Sequence, residues 1–233
     1  SLRPSIGVFW CVATGCYAAA IQPRRSDSMA LKVFVVPVTP FEQNCSVLVC
    51  ERTRRAAVVD PGGDLERIRG VLRKAEARLE KILLTHAHID HAGATAVLAR
   101  EERVPIEGPN EGDLFWIERL PEQSRMFSFA EAEAFTPDRW LGNGDTVTVG
   151  ECVLEVYHCP GHTPGHVVFF SREQRFAIVG DVLFAGSIGR TDFERGNHQQ
   201  LLDSIRQRLW PLGDDVVFVP GHGPRSKIGR AHV

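Results

Sequence analysis

The stretch Thr85-His86-Ala87-His88-Ile89-Asp90-His91 follows directly on the strand-like run Lys81-Ile82-Leu83-Leu84. Three imidazoles and one carboxylate fall within six consecutive positions, a ligand density that few uses of a polypeptide other than metal binding require. His86 and His88 stand two apart, so extended backbone turns both side chains to one face. Asp90 and His91 then lie past the strand end, where the chain enters a helix. A polar loop with satisfied histidines is the bland alternative for any one of these residues, and their clustering argues against it. Three separate elements of the same chemistry lie downstream: His162 in Pro160-Gly161-His162-Thr163-Pro164-Gly165-His166, Asp181 in Gly180-Asp181, and His222 in Pro220-Gly221-His222-Gly223-Pro224. Proline and glycine on both sides present His162 and His222 rigidly. Together these ligands suffice for a dinuclear site.

Outward from this cluster the chain alternates strand and helix signals. Val-rich runs predict strands at 31–37, 45–50 and 56–60. Asp60-Pro61-Gly62-Gly63-Asp64 reads as a turn delivering an N-capping Asp64 to a helix over 65–79, with Leu65, Ile68, Val71, Leu72 and Ala75 at helical spacing. A strand at 81–84, a helix at 93–103, an extended piece at 104–106 and a short helix at 111–120 follow. Residues 121–137 carry Met126, Phe127, Phe129 and Phe135 without periodicity and read as a loop flanking the site. Strands return at 146–149, 153–157, 167–170 and 176–179, with a helix at 199–209 and a last strand at 216–219. Each candidate ligand falls in a turn after a strand. The order predicts an α/β protein with two packed mixed sheets and helices on their outer faces, an αββα sandwich.

At 233 residues the chain can bury one sizeable core but hardly a second full domain. Its 27 basic and 29 acidic residues nearly balance, so bulk electrostatics favour neither a nucleic-acid nor a membrane partner, and they leave the oligomeric state open. Cys11, Cys16, Cys45, Cys50, Cys152 and Cys159 show no zinc-ribbon spacing and no disulfide framework, which fits a reducing, cytoplasmic setting. Cys45, Cys50 and Cys152 sit in strand-like runs and read as small buried hydrophobes. Residues 1–28 precede Met29 and read as upstream sequence or a targeting extension, because their apolar stretch has the wrong flanks for a signal peptide. The tail 227–233 reads as non-native, which removes His232 from the ligand candidates and leaves 29–226 as the working domain.

The combination of HxHxDH, an isolated His, Gly-Asp and a terminal Gly-His resembles the metallo-β-lactamase superfamily over most of 29–226, and more closely its glyoxalase II (hydroxyacylglutathione hydrolase) group. That resemblance implies one metal on His86, His88 and His162, a second on Asp90, His91 and His222, and Asp181 bridging both. It implies two divalent ions, zinc foremost, with iron or manganese as alternatives. The class of metallo-β-lactamases with a Cys ligand would need Cys where Asp181 stands, and a flavo-diiron protein Glu in place of His88. Nothing resembling the glutathione-gripping helical domain of longer glyoxalase II enzymes follows His222. Gln43-Asn44-Cys45 and Gly189-Arg190-Thr191-Asp192-Phe193 instead resemble the compact bacterial branch, in which Arg190 stands where the longer enzymes hold glutathione with Lys.

The activity implied is hydrolysis of a small-molecule thioester, S-lactoylglutathione or a similar hydroxyacyl thioester, by attack of a metal-bound hydroxide that Asp90 ligates and orients. Persulfide dioxygenases share the Gly-Arg-Thr-Asp-Phe stretch and use one iron, here on His86, His162 and Asp181. Lactone hydrolysis is a third option. His158, His166 and His198 are expected outside the ligand set, with His166 packing beneath the site as a donor. Trp116, Phe127 and Phe129 are candidates to line the pocket.

Overall fold

Successive residues of a strand face opposite ways, and the central strands of this chain are apolar on both faces, the pattern of strands covered on two sides. The computed structural model describes residues 30–231 and has that architecture. Residues 1–29 with Cys11 and Cys16, and also His232, lie outside the described residues. One sheet runs in the order β1 (Leu31–Val38), β2 (Gln43–Cys50), β3 (Arg55–Val59), β4 (Arg78–Leu83) and β5 (Ile106–Glu107). Its first three strands pair antiparallel and its last three parallel. The second half supplies β6 (Thr146–Val149), β7 (Cys152–His158), β8 (Val167–Ser171) and β9 (Phe176–Gly180), then a small hairpin of β10 (Leu183–Phe184) and β11 (Ser187–Ile188), and finally β12 (Val217–Pro220) and β13 (Ser226–Lys227). The second sheet has the order β13-β12-β9-β8-β7-β6, antiparallel except for the β9–β12 pair.

Helices α1 (Leu65–Lys74), α2 (Ile89–Ala92), α3 (Thr95–Glu102), α4 (Leu114–Glu118) and α5 (Leu120–Met126) belong to the first half, and α6 (His198–Ser204) to the second. Strand alternation sorts the core into layers. Val47, Val49, Ala56 and Val58 pack with Ile68, Leu72 and Leu98 of the helices, whereas Leu48, Cys50, Ala57 and Val59 face the second sheet. On β8, Val167 and Phe169 join that inter-sheet layer, while Val168 and Phe170 pack outward with Leu201, Ile205 and Leu209. Phe169 and Phe170 are fully buried on opposite faces, each contributing about 2–3 kcal/mol of apolar transfer free energy. The result is the αββα sandwich with two mixed sheets.

Three local expectations need correction. Asp64 does not cap α1: it adopts a left-handed conformation (φ 49°) without a side-chain cap bond, and its carboxylate instead accepts the Thr39 N–H at 2.8 Å. The helix ends at Lys74 rather than at 79, because Glu76 turns left-handed (φ 49°) and the chain re-enters the sheet at Arg78. The segment 121–137 is not wholly loop, since α5 occupies its start with Pro121 in the first turn, where a missing N–H costs nothing. Its inward face includes polar Gln123, which hid the periodicity: the Gln123 amide accepts the Ile89 N–H and donates to the Trp116 carbonyl, both at 3.0 Å. Cys45, Cys50, Cys152 and Cys159 are buried, three of them as expected from their strand-like runs. Ser226 and Lys227 pair with β12, and Ile228 is buried in the outer layer of the second sheet.

Candidate metal centre

The strand ends at one edge of the sandwich carry the site, as open mixed sheets place chemistry beyond the carboxyl ends of their parallel strands. Asp60 follows β3, His86 to His91 follow β4, Asp181 follows β9, His222 follows β12, and His162 lies in the β7–β8 connection. His86, His88 and His162 offer ring nitrogens within 4.8 Å of one another, and Asp90, His91 and His222 form a second such group. Asp181 lies between them: its Oδ1 is 3.4 Å from His91 Nε2, and its Oδ2 is 3.6 Å from His162 Nε2 and 3.7 Å from His222 Nε2. Asp90 Oδ2 is 3.0 Å from His222 Nε2 and 3.6 Å from His91 Nε2. Every sequence-predicted ligand is therefore brought to one place.

Hydrogen bonds behind the rings set which nitrogen faces inward. His162 donates from Nδ1 to the Arg190 carbonyl (2.7 Å), His91 to Asp60 Oδ2 (2.9 Å) and His222 to the Phe41 carbonyl (3.1 Å). His86 Nδ1 donates to Thr85 Oγ1 (3.0 Å), whose hydroxyl in turn donates to Asp60 Oδ2 (2.6 Å). Each of these four keeps Nε2 for the centre, whereas His88 turns Nδ1 toward His162 Nε2 at 3.0 Å. The Nε2 atoms of His86, His88 and His91, and Oδ1 of Asp181, are buried without a hydrogen-bond partner. Orphaned polar atoms of this kind cost roughly 1–3 kcal/mol each, and nitrogen and carboxylate donors so arranged fit divalent cations. A third group, Asp60 with His86 and His91, also falls within 4.8 Å. Asp60 is better read as a support, because it already accepts from Thr85 N, Thr85 Oγ1 and His91 Nδ1.

Sequence reasoning missed that support and a second one. Asp113 is fully buried; its Oδ2 accepts the Ala87 N–H (3.0 Å) and the Thr163 hydroxyl (2.9 Å), and its Oδ1 accepts the Gly165 N–H (2.6 Å). It thus ties the His86–His88 loop to the loop carrying His162. His166 lies beneath the site as expected, stacked on His86 with centroids 4.6 Å apart, but as an acceptor rather than the expected donor: its Nε2 accepts the Asp181 N–H (3.0 Å) and its Nδ1 has no partner. His158 bonds the Pro164 carbonyl and His198 begins α6, neither within the candidate groups. Two glycines mark close approaches: a Cβ on Gly62 would lie 1.5 Å from the Asp90 carbonyl oxygen, and one on Gly221 2.0 Å from Asp181 Oδ1.

The two donor groups differ electrostatically. Burial holds the His86 and His88 imidazoles well below their ordinary pKa, helped for His86 by the neighbouring rings. His162 is also lowered by burial, against the opposing pull of Asp181. Burial disfavours a charged His91 as well, but Asp181 and Asp90 outweigh it and hold that ring well above the ordinary value. The same contacts hold the Asp181 carboxyl far below the usual carboxylate range despite its burial.

A cavity of about 800 Å³ opens over the centre, lined among others by His88, Trp116, Met126, Phe127, Phe193 and Arg190. Phe129 packs against Phe41 instead (centroids 5.0 Å apart), outside the lining. Arg190 stands at the mouth, paired with Asp192 (2.9 and 2.7 Å) and 4.6 Å over the Phe193 ring. Phe193 packs edge-on against His88 and His162.

Residues 38–222 match the family model of the metallo-beta-lactamase superfamily. The chain is 44% identical over 201 residues to the hydroxyacylglutathione hydrolase GloC of Haemophilus influenzae, covering 86% of this chain and 94% of that one. Among solved structures it resembles the BLEG-1 B3 metallo-beta-lactamase (TM-score 0.78, 34% identity, 85% of this chain and 95% of that one). It also resembles TTHA1623 in a di-iron-bound form (TM-score 0.76, 33% identity, 84% and 96%).

Proposed function

The chain belongs to the metallo-beta-lactamase superfamily, and from that membership we propose that it is a dinuclear metal hydrolase cleaving S-lactoylglutathione or a similar hydroxyacylglutathione. The observation that carries the reading is the pair of donor groups joined by Asp181, with the orphaned Nε2 atoms of His86 and His91 aimed between them. The likeness to a hydroxyacylglutathione hydrolase supports the choice of substrate.

His86, His88 and His162 would hold one divalent ion and Asp90, His91 and His222 the other, with Asp181 touching both. Zinc suits this nitrogen-rich set, with iron or manganese as alternatives. Ions held there would polarise a carbonyl oxygen and lower the pKa of water toward 7. The chain's own residues orient and protect the reaction. Asp60, the Arg190 carbonyl and the Phe41 carbonyl lock His91, His162 and His222 against rotation. Asp90, which lines the cavity, would hold an ion and aim the nucleophile. A thiolate leaves readily, so no strong general acid is needed on the opposite side. Trp116, Phe127 and Phe193 limit water around the thioester. Arg190 would meet a substrate carboxylate by exchanging it for Asp192. We place the enzyme in the cytoplasm with its glutathione-derived substrate; no helix among the described residues is long and apolar enough to cross a membrane.

The test is metal analysis of the full chain together with loss of thioester absorbance on S-lactoylglutathione. Two ions per chain with turnover support the proposal. A single iron with oxygen uptake on glutathione persulfide, or turnover of lactones alone, overturns it.

A further inference from the structure

Two thiols outside the metal centre meet across the inter-sheet layer. Cys50 is the last residue of β2 in the first sheet, and Cys152 is the first residue of β7 in the second. Both belong to the core layer between the sheets, and their side chains are in hydrogen-bond contact. The β6–β7 turn closes directly over them, since a Cβ on Gly150 would lie 3.1 Å from Cys50 Sγ. Cys45 and Cys159 lie in two other layers, one outside each sheet. The pair is remote from the candidate metal centre. Gln43, at the opposite end of the eight-residue strand β2, is the residue whose amide lies 3.3 Å from His91, and seven residues of strand span about 23 Å.

We propose that Cys50 and Cys152 are an oxidisable dithiol, closed by hydrogen peroxide to a disulfide that joins the two sheets at the end away from the metal centre. The two sulfurs are chemically unequal in the way such a reaction needs. Burial pushes the Cys50 thiol up, but hydrogen bonds from Thr53 and from Cys152 outweigh it and bring Cys50 below the ordinary cysteine value. Burial and the bond to Cys50 push Cys152 up to about 12. Cys50 is therefore the readier of the two to ionise and reacts first, and Cys152 remains a thiol until it resolves the intermediate. In the first step the Cys50 sulfur attacks one peroxide oxygen: the S–O bond forms, the O–O bond breaks, and the departing hydroxide becomes water with the Cys50 proton. In the second, the Cys152 sulfur attacks Cys50, the S–S bond forms, the S–O bond breaks, and a second water leaves with the Cys152 proton. Two thiols lose two electrons and one peroxide becomes two waters.

Peroxide reaches the pair through an opening of the turns that cover it: Cys50 is 0% and Cys152 5% exposed, and the residues beside them, Arg52, Thr53 and Glu151, are exposed or half-buried turn positions. An Arg52–Glu151 ion pair joins the two turns.

The reduced, zinc-loaded full chain is treated with a small molar excess of hydrogen peroxide and mapped by mass spectrometry, in the wild type and in a Cys45→Ser/Cys159→Ser variant. The expected product is a peptide pair linking positions 50 and 152, reversed by dithiothreitol, in both proteins. Closing so long a loop should raise the melting temperature by on the order of 10 °C. Cys152→Ser should lose the link and the shift and instead accumulate sulfenic acid at Cys50, a readout independent of how well Cys50→Ser folds. Absence of the 50–152 link overturns the proposal, and so does oxidation of Cys50 to sulfinic acid while Cys152 stays a thiol in the wild-type chain.

Discussion

Replacing Asp113 separates what the site needs from what the fold needs. The carboxylate accepts three hydrogen bonds, from Ala87 N–H, Thr163 Oγ1–H and Gly165 N–H. Asp113→Ala leaves these donors buried and unpaired, a loss of about 3–6 kcal/mol at roughly 1–2 kcal/mol each. Burial, against those same hydrogen bonds, raises the Asp113 carboxyl from 3.8 to about 7, so its ionisation in the metal-free fold costs on the order of 4 kcal/mol. The two quantities oppose each other and nearly cancel above pH 7. The sign with pH follows from linkage: the folded chain holds the Asp113 proton between about 4 and 7 while the unfolded chain has released it, so wild-type stability falls as pH rises through that window. The variant lacks this contribution. Chemical denaturation of the metal-free proteins should show the wild-type advantage shrinking from pH 4 to 7, by up to about 4 kcal/mol. Metal binding has no such cancellation, because the loops bearing His86, His88 and His162 lose their common anchor. Affinity for the first zinc should fall roughly 10–100-fold, the usual effect of removing a group that orients ligands. A stability gap independent of pH, or zinc affinity equal to wild type, would refute this account of Asp113.

Asp181→Ala should remove both ions and thioesterase activity, and elemental analysis finding two metals in that variant would sink the bridging role. Zinc binding near pH 7 should release protons from His91 and His222, both held above the ordinary imidazole value in the metal-free fold. Calorimetry in buffers of different ionisation enthalpy would measure it, with affinity rising with pH above about 6.5; zero proton release would contradict it. Arg190→Ala should leave the melting temperature unchanged, since the side chain is 67% exposed and its partner Asp192 equally so. It should raise KM for S-lactoylglutathione roughly threefold or more with kcat intact if it meets a substrate carboxylate, and a loss confined to kcat would count against that contact.

The sandwich was legible because its central strands are buried on both faces, which writes unbroken apolar runs such as Val167 to Phe170. Element ends were less so, because Asp64 and Glu76 leave helical geometry by turning left-handed, a choice that neither residue type announces. The ligands were legible for a chemical reason: His86 to His91 are adjacent in sequence as well as in space. Asp113 was not, since its partners lie 26, 50 and 52 residues away and a lone acid after Gly112 carries no local pattern. Asp60 was read as a turn residue, although it spans 25 and 31 residues to reach Thr85 and His91.

The division of the ligands between two electrostatic settings has a physical consequence for assembly. A protein of ordinary stability stands only about 5–15 kcal/mol above its unfolded state, so several orphaned polar atoms in one buried cluster are a heavy load. Near Asp90 and Asp181 a proton on His91 relieves that load, since the carboxylates lie 3.6 and 3.4 Å from its Nε2. No such partner reaches the Nε2 atom of His86, and burial keeps the His86 and His88 rings neutral. A cation entering beside the three histidines therefore displaces no proton from them near neutral pH, whereas one entering beside Asp90 must compete with the proton on His91. At pH 6 the histidine group should fill first and the carboxylate group should lag; the order should converge as pH rises past the His91 titration.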